Sequence, residues 1–438
     1  MTFRKYRKLF LIFLIFQIIS VASMESQIKE AASLRLGQGK GTAAIGIVSD
    51  EKTEIFFHGR ADANTIFELC SVTKVFTALL LADMSVKQEL SLDDPVNKYL
   101  ESGSILPEEL SLLHLATHTS GLPRSPSDFS MDYSQEQLYK FLSNFSFQRK
   151  AGEKFEYSNL GFGLMGHIMA AHIKTSFEWL LIDRICAPLL MNDTGITMTS
   201  EQQVRQAGGY TSDGRPVPTR ELPVVYQSAG ALRSTLNDML KFLRANMDPE
   251  STQLTDALRL THKSYFPSAI PETRTGLAWN VTDTGVSTII WQEGQISSHY
   301  AFIGFDQKMG LGTVILSSSG IPLTDLGIHV LDARYPVRNV SPQTSVDFQP
   351  DEVYLDDFVG QYEVRPDFLI TILKENGHLY SQTPGMPKLA MTPVSETEFS
   401  IKGLDIRILF FRGQDGRVTL LIVNQAGTEI KAHKKYLP

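Results

Sequence analysis

The chain has 438 residues, 42% of them hydrophobic and 20% charged, an ordinary globular composition at more than one domain's usual length. Its formal net charge is −7, and four of its basic residues, Arg4, Lys5, Arg7 and Lys8, stand together at the extreme N-terminus. The acidic remainder carries no dense Lys/Arg cluster, which excludes the electrostatic footprint of a nucleic-acid binder.

Taken in chain order, the basic stretch leads into Leu9–Phe16 and Ile18-Ile19, and then into the small residues Ser20, Ala22 and Ser23. This is the layout of a secretory signal. It is expected over residues 1–23, with cleavage after Ala22 or Ser23, and an uncleaved N-terminal anchor is the alternative. The apolar run is short for a membrane span. The expected location is periplasmic or secreted, and the expected body is a monomer off the membrane unless the signal stays attached.

Residues Ile28 to Leu36 read as helix. Thr42–Val48 and Glu54–Phe57 read as two strands joined by the polar turn 49–52. From Val72 to about Met84 the residues are apolar helix formers. A mostly helical middle runs from about Leu110 to Asn246, and strand signals return at 288–291, 301–305 and 312–316. Strands, helices and strands again predict an α+β fold: an antiparallel sheet closed by both chain ends, with flanking helices and a mainly helical subdomain. This body is expected over 24–340. A polar, Pro-containing linker follows over 341–352. Residues 353–438 read as a small all-β barrel, with Asn376-Gly377 and Asp415-Gly416 supplying hairpin turns.

Three short patterns carry chemistry. The first is Ser71-Val72-Thr73-Lys74. If Ser71 opens the helix, Lys74 lies one turn on and on the same face. A serine hydroxyl needs a group to take its proton; a buried lysine with a lowered pKa can do so, and the helix N-terminus offers N–H groups to an oxyanion. The second is Tyr157-Ser158-Asn159, where the phenol could handle the serine proton and the amide could hold a substrate carbonyl and steady Lys74. Its bland reading is a capped turn before a helix. The third is Gln292-Glu293-Gly294-Gln295 at a strand end. There Gln295 N–H could be a second oxyanion donor and Gly294 could admit the substrate backbone. Its bland reading is a strand ending in a glycine turn.

Together these segments resemble the serine β-lactamase and D-alanyl-D-alanine peptidase family, in its class C-like branch. The likeness rests on Phe67–Leu80, Leu115–Pro123, Gly152–Gly161 and Gly230–Thr235 with Asp238-Met239, over about residues 40 to 335. The tail from Phe358 resembles the small β-barrel that often follows this hydrolase domain. The resemblance implies Ser71, Lys74 and Tyr157 as catalytic residues. It implies Asn159, Gln292, Gly294 and Gln295 as substrate-binding residues, a small-molecule acyl donor, and neither metal nor organic cofactor. Two departures stand out. Cys70 replaces the family's usual glycine before the nucleophile, and Gln292-Glu293-Gly294 replaces Lys-Thr-Gly or His-x-Gly, removing a cation. Glu293 would repel anions if it faced the site, but alternation along the strand can turn it away.

Other patterns have weaker claims. Gly161-Phe162-Gly163-Leu164-Met165-Gly166 fits a dinucleotide fingerprint but lacks a βαβ unit, and close helix packing explains it better. His114 and His118 are spaced as on a zinc helix, but Leu115 stands where the general base would be, so both read as satisfied helix-end histidines. His299 is a weak candidate for a triad base, and no Gly-x-Ser-x-Gly elbow exists. Cys70 and Cys186 read as two buried free thiols, or as one pair. The sequence thus predicts a serine hydrolase acting on β-lactams through an acyl-enzyme. D-alanyl-D-alanine peptidase and small-ester esterase are its neighbours in chemistry, and a non-catalytic penicillin or peptidoglycan binder is the reading from another class.

Overall fold

Alternating apolar residues build the main sheet. In β1 (Ala43–Val48), Ala44 and Val48 face one core and Ala43, Ile45 and Ile47 face another, the period-two signature of a strand covered on both faces. The computed structural model describes residue 26 and residues 28–36, 41–100, 106–337 and 355–435, except 127–128, 131, 212–213, 220, 367, 376, 385–387, 394–397, 402–403, 405, 413–416 and 426–427. The expected signal (1–23) and linker (341–352) lie outside the described residues. The chain divides into two compact units between Asn339 and Val340.

In the first unit, β1 pairs with β2 (Thr53–His58) as the sequence predicts. Two short sheets follow: β3 (Ile66–Glu68) pairs with β6 (Arg233–Thr235), and β4 (Gly209–Tyr210) pairs with β5 (Pro216–Val217). The remaining strands are β7 (Phe266–Pro267), β8 (Thr273–Thr275), β9 (Asn280–Asp283), β10 (Thr288–Gln295), β11 (Tyr300–Asp306) and β12 (Leu311–Ser317). The main sheet runs in the order β2-β1-β12-β11-β10-β9-β8-β7, with antiparallel neighbours. The N-terminal hairpin thus closes against the unit's last strand, as the sequence order implies.

The helices are α1 (28–36), α2 (Thr73–Val86), α3 (Leu112–Ala116), α4 (Gln135–Asn144), α5 (Asn159–Ile173), α6 (Phe177–Leu181), α7 (Ser200–Val204), α8 (Gln227–Gly230), α9 (Leu236–Met247), α10 (Thr255–His262) and α11 (Thr324–Leu331). α1 and α11 cover one face of the sheet through Ile28, Leu36, Leu326 and Val330. They are tied together by Arg35, whose guanidinium donates to both carboxylate oxygens of Asp325. The larger helical layer covers the other face. At its centre α2 is buried at every position from Thr73 to Met84, which is why its sequence is apolar all round rather than striped. Among the described residues no helix is long and apolar enough to cross a membrane.

The second unit is a closed antiparallel barrel of β13 (Gly360–Arg365), β14 (Phe368–Glu375), β15 (His378–Gln382), β16 (Leu389–Pro393), β17 (Glu398–Ile401), β18 (Ile406–Arg412), β19 (Val418–Gln425) and β20 (Thr428–Lys434). The predicted β14–β15 hairpin forms, with Gly377 at φ 75° in its turn. Phe358, Tyr362, Phe399 and Phe410 fill the interior, as side chains do in a small barrel.

Candidate active site

Ser71, the candidate nucleophile, is delivered by a sharp change of direction at the end of β3. Leu69 N donates to Leu232 O at 2.8 Å, Cys70 adopts φ 50°, and Ser71 lies in a 3-10 turn over Cys70–Val72. The α-helix proper begins at Thr73, one residue after the predicted start of the helix-forming run at Val72, and Lys74 lies one turn beyond Ser71. The backbone at Cys70 explains why a glycine suits this position. A left-handed φ costs a residue with a side chain about 1–2 kcal/mol. The thiol itself is no rival nucleophile, because burial pushes its pKa up.

Lys74 is fully buried. Its Nζ donates to Ala229 O at 2.6 Å and lies 3.2 Å from Ser71 Oγ. Two threonines on α2 fix the segment that supplies Ala229: Thr73 Oγ1 accepts from Leu232 N, and Thr77 Oγ1 donates to Ser228 O. Burial, reinforced by the positive charge of Arg124, holds the Lys74 ammonium well below its ordinary pKa of 10.5. A neutral Lys74 keeps its bond to Ala229 O and can accept the Ser71 proton along the 3.2 Å contact.

Tyr157 reaches the same hydroxyl from the helical layer. Its Oη donates to Ser71 Oγ at 2.8 Å. The loop that holds it is clamped by the 118–124 segment. Glu156 N donates to His118 O, Ser158 N to His118 Nδ1, and both Asn159 N and Leu160 N to Arg124 O. Ser158 caps α5 by accepting from Gly161 N. The phenol ring packs on His118, with centroids 4.4 Å apart. Lys74 Nζ lies 4.9 Å and the Arg124 guanidinium 5.0 Å from the ring centroid. Burial pushes the phenol up to about 12, against the pull of the Ser71 hydrogen bond and Arg124. At neutral pH the phenol therefore keeps its proton as a donor, and the lowered pKa of Lys74 suits that amine better than the phenol to the part of a base.

The end of β10 closes the site. A Cβ on Gly294 would lie 2.5 Å from Ser71 N and 2.6 Å from Leu69 O, so only glycine lets the strand meet the nucleophile turn. Ile296 N donates to His299 O at 3.0 Å. By antiparallel alternation the next pair, Gln295–Tyr300, is not hydrogen-bonded, and Gln295 N–H is directed to the edge beyond the end of β9. The site thus offers a hydroxyl between two proton-handling groups, with a strand-edge N–H beside it, the arrangement that acyl transfer needs.

A family model described as beta-lactamase matches residues 24–329. The chain belongs to the beta-lactamase family of serine hydrolases. The beta-lactamase of Yersinia enterocolitica is 32% identical over 259 residues, 56% of this chain and 65% of that protein. The chain therefore spans about two thirds of that relative's length. Among solved structures, the D-alanine carboxypeptidase AmpC from Burkholderia cenocepacia is similar with a TM-score of 0.64 at 26% identity, covering 72% of this chain and 99% of that one. A class C beta-lactamase in complex with cefoxitin shares the fold, with a TM-score of 0.64 at 24% identity over 71% and 99% of the two chains.

Several residues of this beta-lactamase-family chain take places that differ from their sequence-based expectations. Gly294 admits the nucleophile's own backbone, where substrate backbone was expected. Gln292, expected to bind substrate, is buried; its Nε2 donates to Ala278 O at 2.6 Å and its Oε1 accepts from Glu293 N at 2.9 Å. Its amide is occupied at both ends because Ala278 turns with φ 65° and the strand-edge N–H of Glu293 needs an acceptor. Asn159 opens α5, and among the described residues Lys74 is held by Ala229 and Ser71, not by its amide. Glu293 turns to the opposite face, where Tyr300 and Thr324 donate to its carboxylate.

The remaining patterns resolve simply. Gly163 and Gly166 face the Val225 carbonyl and Ser228, where a Cβ would fall 2.2 Å from either, so that part of the dinucleotide-like pattern is helix packing. His114 Nδ1 bonds Ser111 at the start of α3. His118 differs from the expectation of a satisfied histidine: its buried Nε2 has no partner among the described residues. His299 is buried beside Ser298, its pKa lowered to about 4 by burial. Both cysteines are free and buried. Sequence reasoning assigned no role to Ala229 or Arg124. Ala229 acts through a backbone carbonyl, which leaves no side-chain signal. Arg124 could have been noticed as the charged residue directly after Gly121-Leu122-Pro123.

Proposed function

We propose that this chain hydrolyses β-lactam amide bonds through an acyl-enzyme on Ser71, in the manner of a class C-like enzyme. The observation that carries the reading is the single hydroxyl of Ser71 held 3.2 Å from Lys74 Nζ and 2.8 Å from Tyr157 Oη. Neutral Lys74 takes the serine proton as Oγ attacks the carbonyl carbon. The N–H groups of Ser71 and Gln295 stabilise the oxyanion, with Asn159 positioning the acyl carbonyl. Tyr157 passes a proton to the departing nitrogen, and water then attacks the acyl-enzyme with Tyr157 and Lys74 as proton carriers. The beta-lactamase names of the curated relatives support this substrate class. The basic-then-apolar N-terminal segment supports export to the periplasm or outside the cell.

One observation favours a second substrate class for the same acylating site. The strand end at Gln292–Gln295 brings no cation, and the Gln292 amide is occupied by backbone. A peptide or simple ester that does not rely on a strand-borne cation fits that edge, and a D-alanine carboxypeptidase is among the solved neighbours. The test is turnover of a penicillin, a D-Ala-D-Ala peptide and a small aryl ester by the parent protein and by Ser71→Ala. Penicillin loss that requires Ser71 supports the first reading, and Ser71-dependent cleavage of the peptide or ester alone supports the second. Turnover undiminished in Ser71→Ala would remove both.

A further inference from the structure

Among the described residues near Ser71, Arg124 is a charged side chain that reaches the surface. Lys74 is buried. Gln292 and Gln295 point their amides at Ala278 O and Gly320 O, and Glu293 faces the far side of the sheet. Arg124 is exposed, yet its place is fixed. Its carbonyl accepts from Asn159 N and Leu160 N at the start of α5, and its guanidinium lies 5.0 Å from the centroid of the Tyr157 ring, an arrangement that favours a cation. Among the described residues no carboxylate forms an ion pair with it. From this ring the phenol oxygen is 2.8 Å from Ser71 Oγ, so the guanidinium stands within a small molecule's span of the nucleophile.

We propose that Arg124 reads the charge of the acyl donor: its guanidinium receives an anionic group on the bound molecule and so selects negatively charged donors over neutral ones of the same skeleton. The inference rests on the reading of Ser71 as the acylated residue. A guanidinium presents five donors in a planar fork that matches a carboxylate edge. Held over an aromatic face, that fork loses less freedom on binding than a free surface arginine would. It also supplies from the helical layer the positive charge that the strand end does not bring. The substrate class implied is a carboxylated acyl donor.

The experiment uses the full chain with a simple penicillin and its methyl ester, one skeleton with and without the charge. The readout is the ratio of kcat/KM for acid over ester in the parent, Arg124→Gln and Arg124→Lys. The substitutions leave the carbonyl that holds α5 in place. The expected result is a ratio that falls by about tenfold or more in Arg124→Gln, the scale of a lost hydrogen bond to a charged group, with much of it kept in Arg124→Lys. An unchanged ratio in Arg124→Gln, with turnover still dependent on Ser71, overturns the role of Arg124 alone. If neither compound is turned over and neither acylates Ser71 in the parent, the underlying reading of the site fails instead.

Discussion

The phenol oxygen of Tyr157 lies 2.8 Å from the hydroxyl oxygen of Ser71, across 86 positions of chain. That contact joins the end of β3 to the start of α5, and it depends on a donor that stays protonated. Replacing Tyr157 by Phe keeps the ring that His118 and Arg124 pack against and removes only the hydroxyl. The expected outcome is a loss of roughly 10²–10⁴ in kcat with the melting temperature little changed. Steady-state kinetics beside a thermal melt check it, and a fall in stability without a fall in kcat would contradict the role.

The pH profile separates the two proton carriers. Lys74 must be neutral to accept the serine proton, and its folded pKa lies well below 10.5. Tyr157 must be protonated to donate, and its pKa is pushed up to about 12. Activity therefore rises with pH through the lowered Lys74 value and falls only near 12. Lys74→Arg, whose side chain cannot lose its proton, is expected to be inactive across that range. A kcat/KM that rises only around pH 10.5 would show an ordinary lysine and contradict the account.

Gly294→Ala tests how the strand meets the nucleophile. The added methyl would stand 2.5 Å from Ser71 N and 2.6 Å from Leu69 O, and both are backbone atoms that cannot swing aside. Overpacking of this kind costs about 1–3 kcal/mol, and the strain falls on the turn that carries Ser71. We expect the melting temperature and kcat to drop together, as measured by calorimetry and turnover. Parent-like values for both would mean the turn and the strand are not in contact.

Gln292→Leu distinguishes a brace from a substrate contact. It leaves Ala278 O and Glu293 N without their partner, and an unsatisfied buried group costs about 1–3 kcal/mol. The expected outcome in chemical denaturation is a loss of stability on that scale. A variant as stable as the parent but with a raised KM would restore Gln292 to the substrate.

Much of this was legible in the sequence because it is carried by side-chain type and period. The apolar α2, the apolar run of β1 ended by a polar turn, and the Ser71–Lys74 spacing each announce their structure. What was not legible depends on backbone atoms and on long-range contact. Ala229 contributes a carbonyl, Cys70 a left-handed turn, and Gly294 room for the nucleophile's own chain. Gln292 reads as a replaced substrate ligand because it stands where the resembling family carries a cation, and only its neighbours reveal two backbone groups in need of a partner. Arg124 is one charged residue among many until the fold lays it over Tyr157.

The central claim is that Ser71 is acylated. The direct measurement is the intact mass of the purified chain during incubation with a simple penicillin, with peptide mapping and with Ser71→Ala as the control. The account predicts an added mass equal to the intact drug, located on the peptide containing Ser71 and absent from Ser71→Ala, either lasting or visible only on rapid quenching. An adduct that maps to another residue, or drug consumed equally by Ser71→Ala, would contradict it.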